Sequence, residues 1–252
     1  MNNTRVAQNL TSSRAAVKKQ NRLAWFEEVL EYLKENGYDH ILQDPVRVFK
    51  GDETAFFLNP KGKRVLAAKG DKNIYQQINN DEKECLTVLI TGNASGQLAP
   101  PLIVFKYERI PQGLACSVPG DWGIGKSESG WMTSALFYEF LTNVFYPWLV
   151  VQNITFPVIL FIEGYTSHVT LHSSKFCEEK GIILVALYPN ATHLLQPMDV
   201  AVFRALKENW KGKVHQWRIK NIIKGNIPIL KKRDFPPLLK EVLDETITPK
   251  NT

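Results

Sequence analysis

Three carboxylates stand where buried strands end, and that placement is the pattern of a divalent-cation site. Val158 to Ile162 is a run of five apolar residues, the signature of a strand buried on both faces, and it stops abruptly at Glu163-Gly164. Ile182 to Leu187 repeats the pattern, and Pro197 then opens a helix with Asp199 in its first turn. Far upstream, VRVFKGDETAF reads as a strand carrying Asp52 and Glu53. Glu53 points away from Asp52 if the strand continues, so it reads as structural. Acids brought to one place by separate elements supply the oxygen ligands that hard divalent cations take.

Other residues read as contacts for an anionic partner. Arg204, Lys207, Lys211, His215 and Arg218 recur at helical spacing on a long helix from Pro197, whose buried side carries Phe203, Leu206, Trp210 and Trp217. Such a stripe suits a phosphate backbone, and it equally suits a solvated face. The chain is +6 overall, with five Lys and Arg and no acid in residues 1–24, and twelve against five acids in residues 204–252, which leaves residues 25–203 at −6. A negative centre between basic flanks fits a metal site beside phosphate-contacting edges.

The histidines and one glycine-rich stretch leave alternatives open. His168 and His172 are four apart on a predicted helix but form no HExxH, so a hydrogen-bonding or DNA-contacting role stands beside metal ligation. His193, six residues before Asp199, is a loop histidine or a substrate-positioning one. GDWGIGKS, Gly120 to Ser127, matches the phosphate-loop pattern GxxxxGK[ST], making nucleotide binding a remote alternative. Cys116 to Pro119 is a poor strand and Glu128-Ser129-Gly130 a poor helix start, so the stretch reads as a surface loop.

The elements that must position these groups suit a chain of 252 residues, 44% hydrophobic, long enough for one large α/β domain or one domain with extensions. Residues 1–20 read as a flexible basic N-terminus, 21–220 as the domain, and 221–252 as a basic C-terminal extension with a short helix begun by Asp234. Asn21 to Asn36 reads as a helix that lays Leu23, Phe26, Leu30 and Leu33 on the sheet. LTVLITGNASGQLAPPLIVF reads as a hairpin turning between Gly92 and Gly96. Thr133 caps a helix through Phe137, Phe140, Leu141, Val144 and Phe145 that Pro147 should break, and Thr166 or Ser167 caps another that ends at Gly181. No run of 18 apolar residues and no apolar signal core is present, so neither a membrane span nor secretion is expected. Cys85, Cys116 and Cys177 are far apart with no CxxC, and read as reduced core thiols rather than zinc ligands.

GDETAFFLNP, PVILFIEGYTSH and YPNATHLLQPMDVAVF, together with LTVLITGNASGQLAPPLIVFK and the GWMT before a helix, resemble the ordered blocks of the DDE superfamily of transposase-derived endonucleases, in its pogo/Tigger and jerky-like branch. The resemblance covers roughly Ala24 to Trp217. It implies a ribonuclease H-like α/β fold, a mixed central sheet flanked by helices with helical N- and C-terminal extensions. It further implies that Asp52, Glu163 and Asp199 are the catalytic metal ligands, holding two Mg²⁺ or Mn²⁺ ions with Asp52 as the bridge, for cleavage and transfer of DNA phosphodiesters. DNA is then the expected partner, contacted by Arg204, Lys207, Lys211, Arg218, His168 and His193, in a nuclear protein without membrane association and with a possible homodimer. Two departures stand out: Glu163-Gly164-Tyr165 where the family has Asp, and Lys50-Gly51 where the branch tends to have Asn-Ala. The extra methylene moves the carboxylate by about 1.5 Å. Two classes of function follow: a Mg²⁺-dependent DNA-cutting core, or an inactive scaffold that binds DNA or a partner.

Overall fold

The strand that carries Asp52 is the longest among the described residues and lies inside its sheet. The computed structural model describes residues 19–60, 84–163, 170–188, 198 and 202–247. Within them β1 (Val48–Phe57), β2 (Cys85–Asn93), β3 (Leu102–Lys106), β4 (Gly123–Ser127), β5 (Val158–Ile162) and β6 (Ile182–Ala186) form one sheet in the order β4-β3-β2-β1-β5-β6. β1, β2 and β3 are antiparallel neighbours, whereas β5 joins parallel to β1, β6 parallel to β5, and β4 parallel to β3. This mixed sheet with helices on both faces is the ribonuclease H-like arrangement, extended at one edge by β4.

Parallel neighbours need long crossovers, and helices supply them. α1 (Lys19–Glu35) precedes the sheet, and the short α2 (Gln112–Ala115) lies between β3 and β4. α3 (Ser134–Phe140) runs through a π-helical turn, Leu141–Phe145, into α4 (Tyr146–Val151) and on to β5. α5 (Leu171–Glu179) joins β5 to β6, and α6 (Phe203–Ile223) and α7 (Phe235–Thr246) follow.

Alternation along β1 sends Val48, Lys50, Asp52, Thr54 and Phe56 to one face. Over the β1–β3 half of that face, Phe56, Val88, Ile90 and Phe105 pack with Leu206 and Trp210 of α6 and with Phe235 and Leu239 of α7. The Trp210 indole N–H donates to the Phe57 carbonyl at 2.8 Å, and its ring meets Phe56 and Phe235 edge-on at 5.7 and 4.9 Å. Over the β5–β6 half, Leu33 of α1 packs on Ile159 and Val185. The opposite face buries Phe49, Leu89, Val104 and Leu160 against Phe137, Phe140, Phe145 and Leu149.

Several elements depart from their expected form. α1 starts and stops close to the expected bounds and buries Leu33 as expected, but half-buried Trp25 and Val29 pack beside it, and Leu23, Phe26 and Leu30 are exposed. Both stripes have helical spacing, and the sheet takes the one that includes the large Trp25 ring. Pro147 does not break its helix. Its missing N–H and bulky ring are accommodated by the π turn before it, in which the Tyr146 N–H reaches the Leu141 carbonyl. Thr133 caps α3 as expected, accepting from the Leu136 N–H at 3.3 Å, whereas α5 is capped by Thr170, and residues 164–169 lie outside the described ones. The expected helix start at Pro197 and the pairing of residues flanking Asn59 to Gly62 also fall outside them in part. Asp234 accepts from the Lys231 N–H at 3.0 Å just ahead of α7, and α7 packs into the same cluster as α6. Of the three thiols only Cys177 is buried, and burial pushes it up to about 12; Cys85 is half-buried and Cys116 exposed.

GDWGIGKS is not a phosphate loop, because its second half is strand β4 and Lys126 donates to the Glu108 carbonyl at 2.5 Å from mid-strand. Its glycines serve packing. A Cβ on Gly123 would lie 2.6 Å from Leu102 Cδ1 and 3.1 Å from Val144, and one on Gly125 would lie 2.9 Å from Leu136. Gly123→Ala is therefore expected to lower unfolding free energy by about 1–3 kcal/mol. Gly120→Ala, whose Cβ meets nothing within 4 Å, should change it by less than about 0.5 kcal/mol, both read from denaturant melts.

Candidate metal centre

Strand register builds the site. β1 pairs with β5 as Val48 with Ile159 and Lys50 with Phe161, and continuing that ladder brings Asp52 level with Glu163. Buried Arg47 holds the register at the other end, donating from Nε and Nη2 to the Pro157 carbonyl at 3.0 and 2.7 Å. On the far side of β5, the Leu187 N–H donates to the Ile162 carbonyl at 2.9 Å, so β6 follows β5 to the same end.

Asp52 is buried, and its Oδ1 accepts from the Glu53 N–H at 2.9 Å. Lys50, two residues back on the same face, donates to the Gly51 carbonyl at 2.8 Å and sets its ammonium 4.0 Å from Asp52 Oδ2. Glu53 and Glu163 are half-buried, and one carboxylate oxygen from each of Asp52, Glu53 and Glu163 lies within 4.8 Å of the others. Two oxygens across one Mg²⁺ ion are separated by about 4.2 Å, so small side-chain rotations bring this set to bonding distance. An all-carboxylate donor set suits Mg²⁺ or Mn²⁺ and not a thiolate-seeking metal.

Alternation alone assigned Glu53 to the other side, and the structure brings its carboxylate to the cluster instead. Among the described residues the β1–β5 ladder ends at Lys50, and beyond that point the long Glu53 side chain brings a carboxylate oxygen to the cluster. Lys50 belongs to the site as well, since a lysine two residues before a buried acid on one strand shares its face.

Asp199, His168 and His193 lie outside the described residues. Met198 and Val202, which are described, line a largely apolar cavity of about 780 Å³ together with Lys50, Phe161, Leu187 and Trp25. His172 packs on the other side of the sheet, its ring 6.5 Å from that of Tyr138. Along α6, Arg204 and His215 are exposed, the Lys207 ammonium sits 5.9 Å over the Phe203 ring, and Lys211 pairs with Glu208 at 3.0 Å. Arg218 leaves the stripe: it donates to Asn59 and lines a second cavity with Lys231, Lys232 and Arg233.

Comparison with known proteins places this geometry in context. The family profile described as DDE superfamily endonuclease matches residues 83–235, which include Glu163 and Asp199 and begin after Asp52. A Mus musculus protein named pogo transposable element with KRAB domain is 25% identical over 183 residues, 71% of this chain and 28% of that one. A Cochliobolus lunatus protein named MFS-type transporter clz9 is 27% identical over 223 residues, 87% of this chain and 23% of that one. The chain thus spans about a quarter of the length of these curated relatives, and among its described residues no helix is long and apolar enough to cross a membrane. In fold it is similar to the Mos1 transposase in a paired-end complex with the left transposon end, at a TM-score of 0.55 and 13% identity over 98% of this chain and 67% of that one. The mariner Mos1 paired-end complex with Mg gives 0.54 at the same identity, over 98% and 68%.

Three carboxylates this close repel one another, and an ammonium at 4.0 Å offsets part of that. In thermal melts with chelator, Glu163→Gln is expected to stabilise the protein and Lys50→Met to destabilise it, each by about 1 kcal/mol. Added Mn²⁺ should raise the melting temperature of Lys50→Met more than that of the parent and leave Glu163→Gln almost unmoved.

Proposed function

The chain belongs to the DDE superfamily endonucleases, and we propose that its acid cluster is the metal centre of a DNA phosphodiester-transfer domain. The observation that carries this reading is the convergence of Asp52, Glu53 and Glu163 within 4.8 Å where β1 and β5 run side by side. Divalent cations bound there would supply a water of lowered pKa and stabilise the leaving 3′ oxygen. Asp52, buried at the centre, would hold the cations together with Glu163 from β5 and with Asp199, and Glu53 would add an oxygen that compensates for the longer reach of Glu163. Lys50 holds the cluster together before a cation arrives. Arg204, Lys207 and Lys211 hold the phosphate backbone, and His168 and His193 contact the strand near the acids. The domain spans residues 21–220, flanked by the basic segments 1–20 and 221–252, and works in the nucleus where its DNA is.

A second reading has an observation of its own. The ammonium of Lys50 at 4.0 Å from Asp52 already supplies a positive charge at the acids, which is the arrangement of a retired site kept as a DNA-binding or partner-binding scaffold. Cutting separates the two. Glu163→Asp, which shortens the carboxylate to the family length, is expected to raise Mn²⁺-dependent nicking of supercoiled plasmid at least about tenfold, the scale of an interaction made only in the transition state. Silence of both parent and variant, with DNA binding intact, assigns the chain to the scaffold class.

Backbone contact is read separately from cutting. Each phosphate contact removed by Arg204→Glu, Lys207→Glu or Lys211→Glu should flatten the dependence of log affinity on log salt by about 0.9 on duplex DNA. A slope that does not change in any of the three takes this face out of the interface.

A further inference from the structure

The outer end of α6 presents an apolar face that the metal-centre reading does not use. Phe203, Leu206, Trp210 and Val214 turn inward, while Ile219, Ile222 and Ile223 point to solvent on the opposite side, the latter two 60% and 80% exposed. Ile227, 75% exposed, lies in the coil that follows. Lys220 and Lys224 border it, and with Gln216, Ile219 and Ile223 they line a shallow depression of about 300 Å³. Surface isoleucines scattered singly need no account, but Ile219, Ile222 and Ile223 share one exposed helix face of the kind that marks an interface.

The same chain carries a face of matching chemistry. On α1, Leu23, Phe26 and Leu30 form the exposed stripe that the sheet leaves uncovered. Glu27 and Glu31, one helical turn apart, run along its solvent side, as their spacing from Leu23 and Leu30 requires. One stripe is apolar and edged with glutamate, the other apolar and edged with lysine. They do not satisfy each other within one molecule: α1 sits over the β5–β6 half of the sheet through Leu33, Ile159 and Val185, α6 covers the β1–β3 half, and both stripes remain exposed.

We infer that the occupant of the α6 isoleucine face is α1 of a second copy of this chain. The contact is reciprocal about a two-fold axis, so each dimer holds it twice. Apolar contact at the centre and Lys220 and Lys224 facing Glu27 and Glu31 at the rim give the core-and-rim plan of a protein interface.

The test uses the 252-residue chain in sedimentation velocity across a range of concentrations. The expected result is a monomer–dimer equilibrium that Ile222→Glu with Ile223→Glu weakens by about 100-fold or more, with an unchanged melting temperature at concentrations where the parent is monomeric, because both side chains face outward. Charge exchange makes the pairing specific. Glu27→Lys with Glu31→Lys sets lysine against lysine in its own dimer, and Lys220→Glu with Lys224→Glu sets glutamate against glutamate, so each alone should dimerise poorly. Mixed, the two variants restore opposite charges at both contacts, and a heterodimer should return. A chain monomeric throughout, a dimer indifferent to the isoleucine variants, or a mixture that stays monomeric overturns the inference. So does binding of the monomeric chain to anionic phospholipid vesicles through the same isoleucines, which would assign the face to a lipid surface.

Discussion

The parallel pairing of β1 with β5 is the constraint on which the rest of the structure depends. A slip of one residue in that ladder would turn the side chains of one strand to the other face and take Asp52 away from Glu163. The pairing is defended accordingly. The guanidinium of Arg47 clamps the Pro157 carbonyl with two hydrogen bonds, and β1 is held on its other edge by nine residue pairs with β2, far more than the three it makes with β5. The strand that carries the central acid is thereby held on both edges. Helices reinforce it from both sides: Trp210 ties α6 to Phe57 on one face, and Phe49 meets Phe145 edge-on at 5.3 Å on the other.

That rigidity has a purpose in the charge arrangement it imposes. Left to itself, a buried carboxylate with two others within 4.8 Å would move away from them. The sheet prevents separation, because Asp52 and Glu163 belong to hydrogen-bonded neighbours. The ammonium of Lys50 offsets part of the repulsion, and a divalent ion would offset more. These two alternatives are the physical content of the two functional readings, a scaffold in which lysine suffices and a nuclease in which metal displaces its influence. Lys50 and Glu163, where the resemblance implies other residues, thus fall at one spot and bear on one balance of charge.

Some of this was legible in the residues alone, and the reasons are specific. A strand buried on both faces must be a continuous apolar run, so VILFI announced itself and the acid at its end with it. The hairpin of β2 and β3 was marked by its glycines in the same way. Other features depend on partners that a sequence does not display. Two stripes of α1 have helical period, and only the sheet decides which is covered. The GxG of β4 is shared by phosphate loops and by strands pressed under a helix, and only the Leu102, Leu136 and Val144 side chains tell them apart. Among the described residues β5 stops pairing where β1 goes on, and Glu53 joins the acids beyond that point, a matter of strand ends that residue alternation ignores. Cys116 was read as a core thiol on the general tendency of cysteine to be buried, and its loop is exposed.

The central claim is that strand register has assembled a divalent-cation site around Asp52. Calorimetric titration of Mn²⁺ into the chain, beside Asp52→Asn, tests it most directly, since it needs no DNA and no turnover. Saturable binding in the parent that vanishes in the variant is the predicted result. Binding of equal strength in both, or in neither, would contradict the account and leave the acids as a structural cluster neutralised by Lys50.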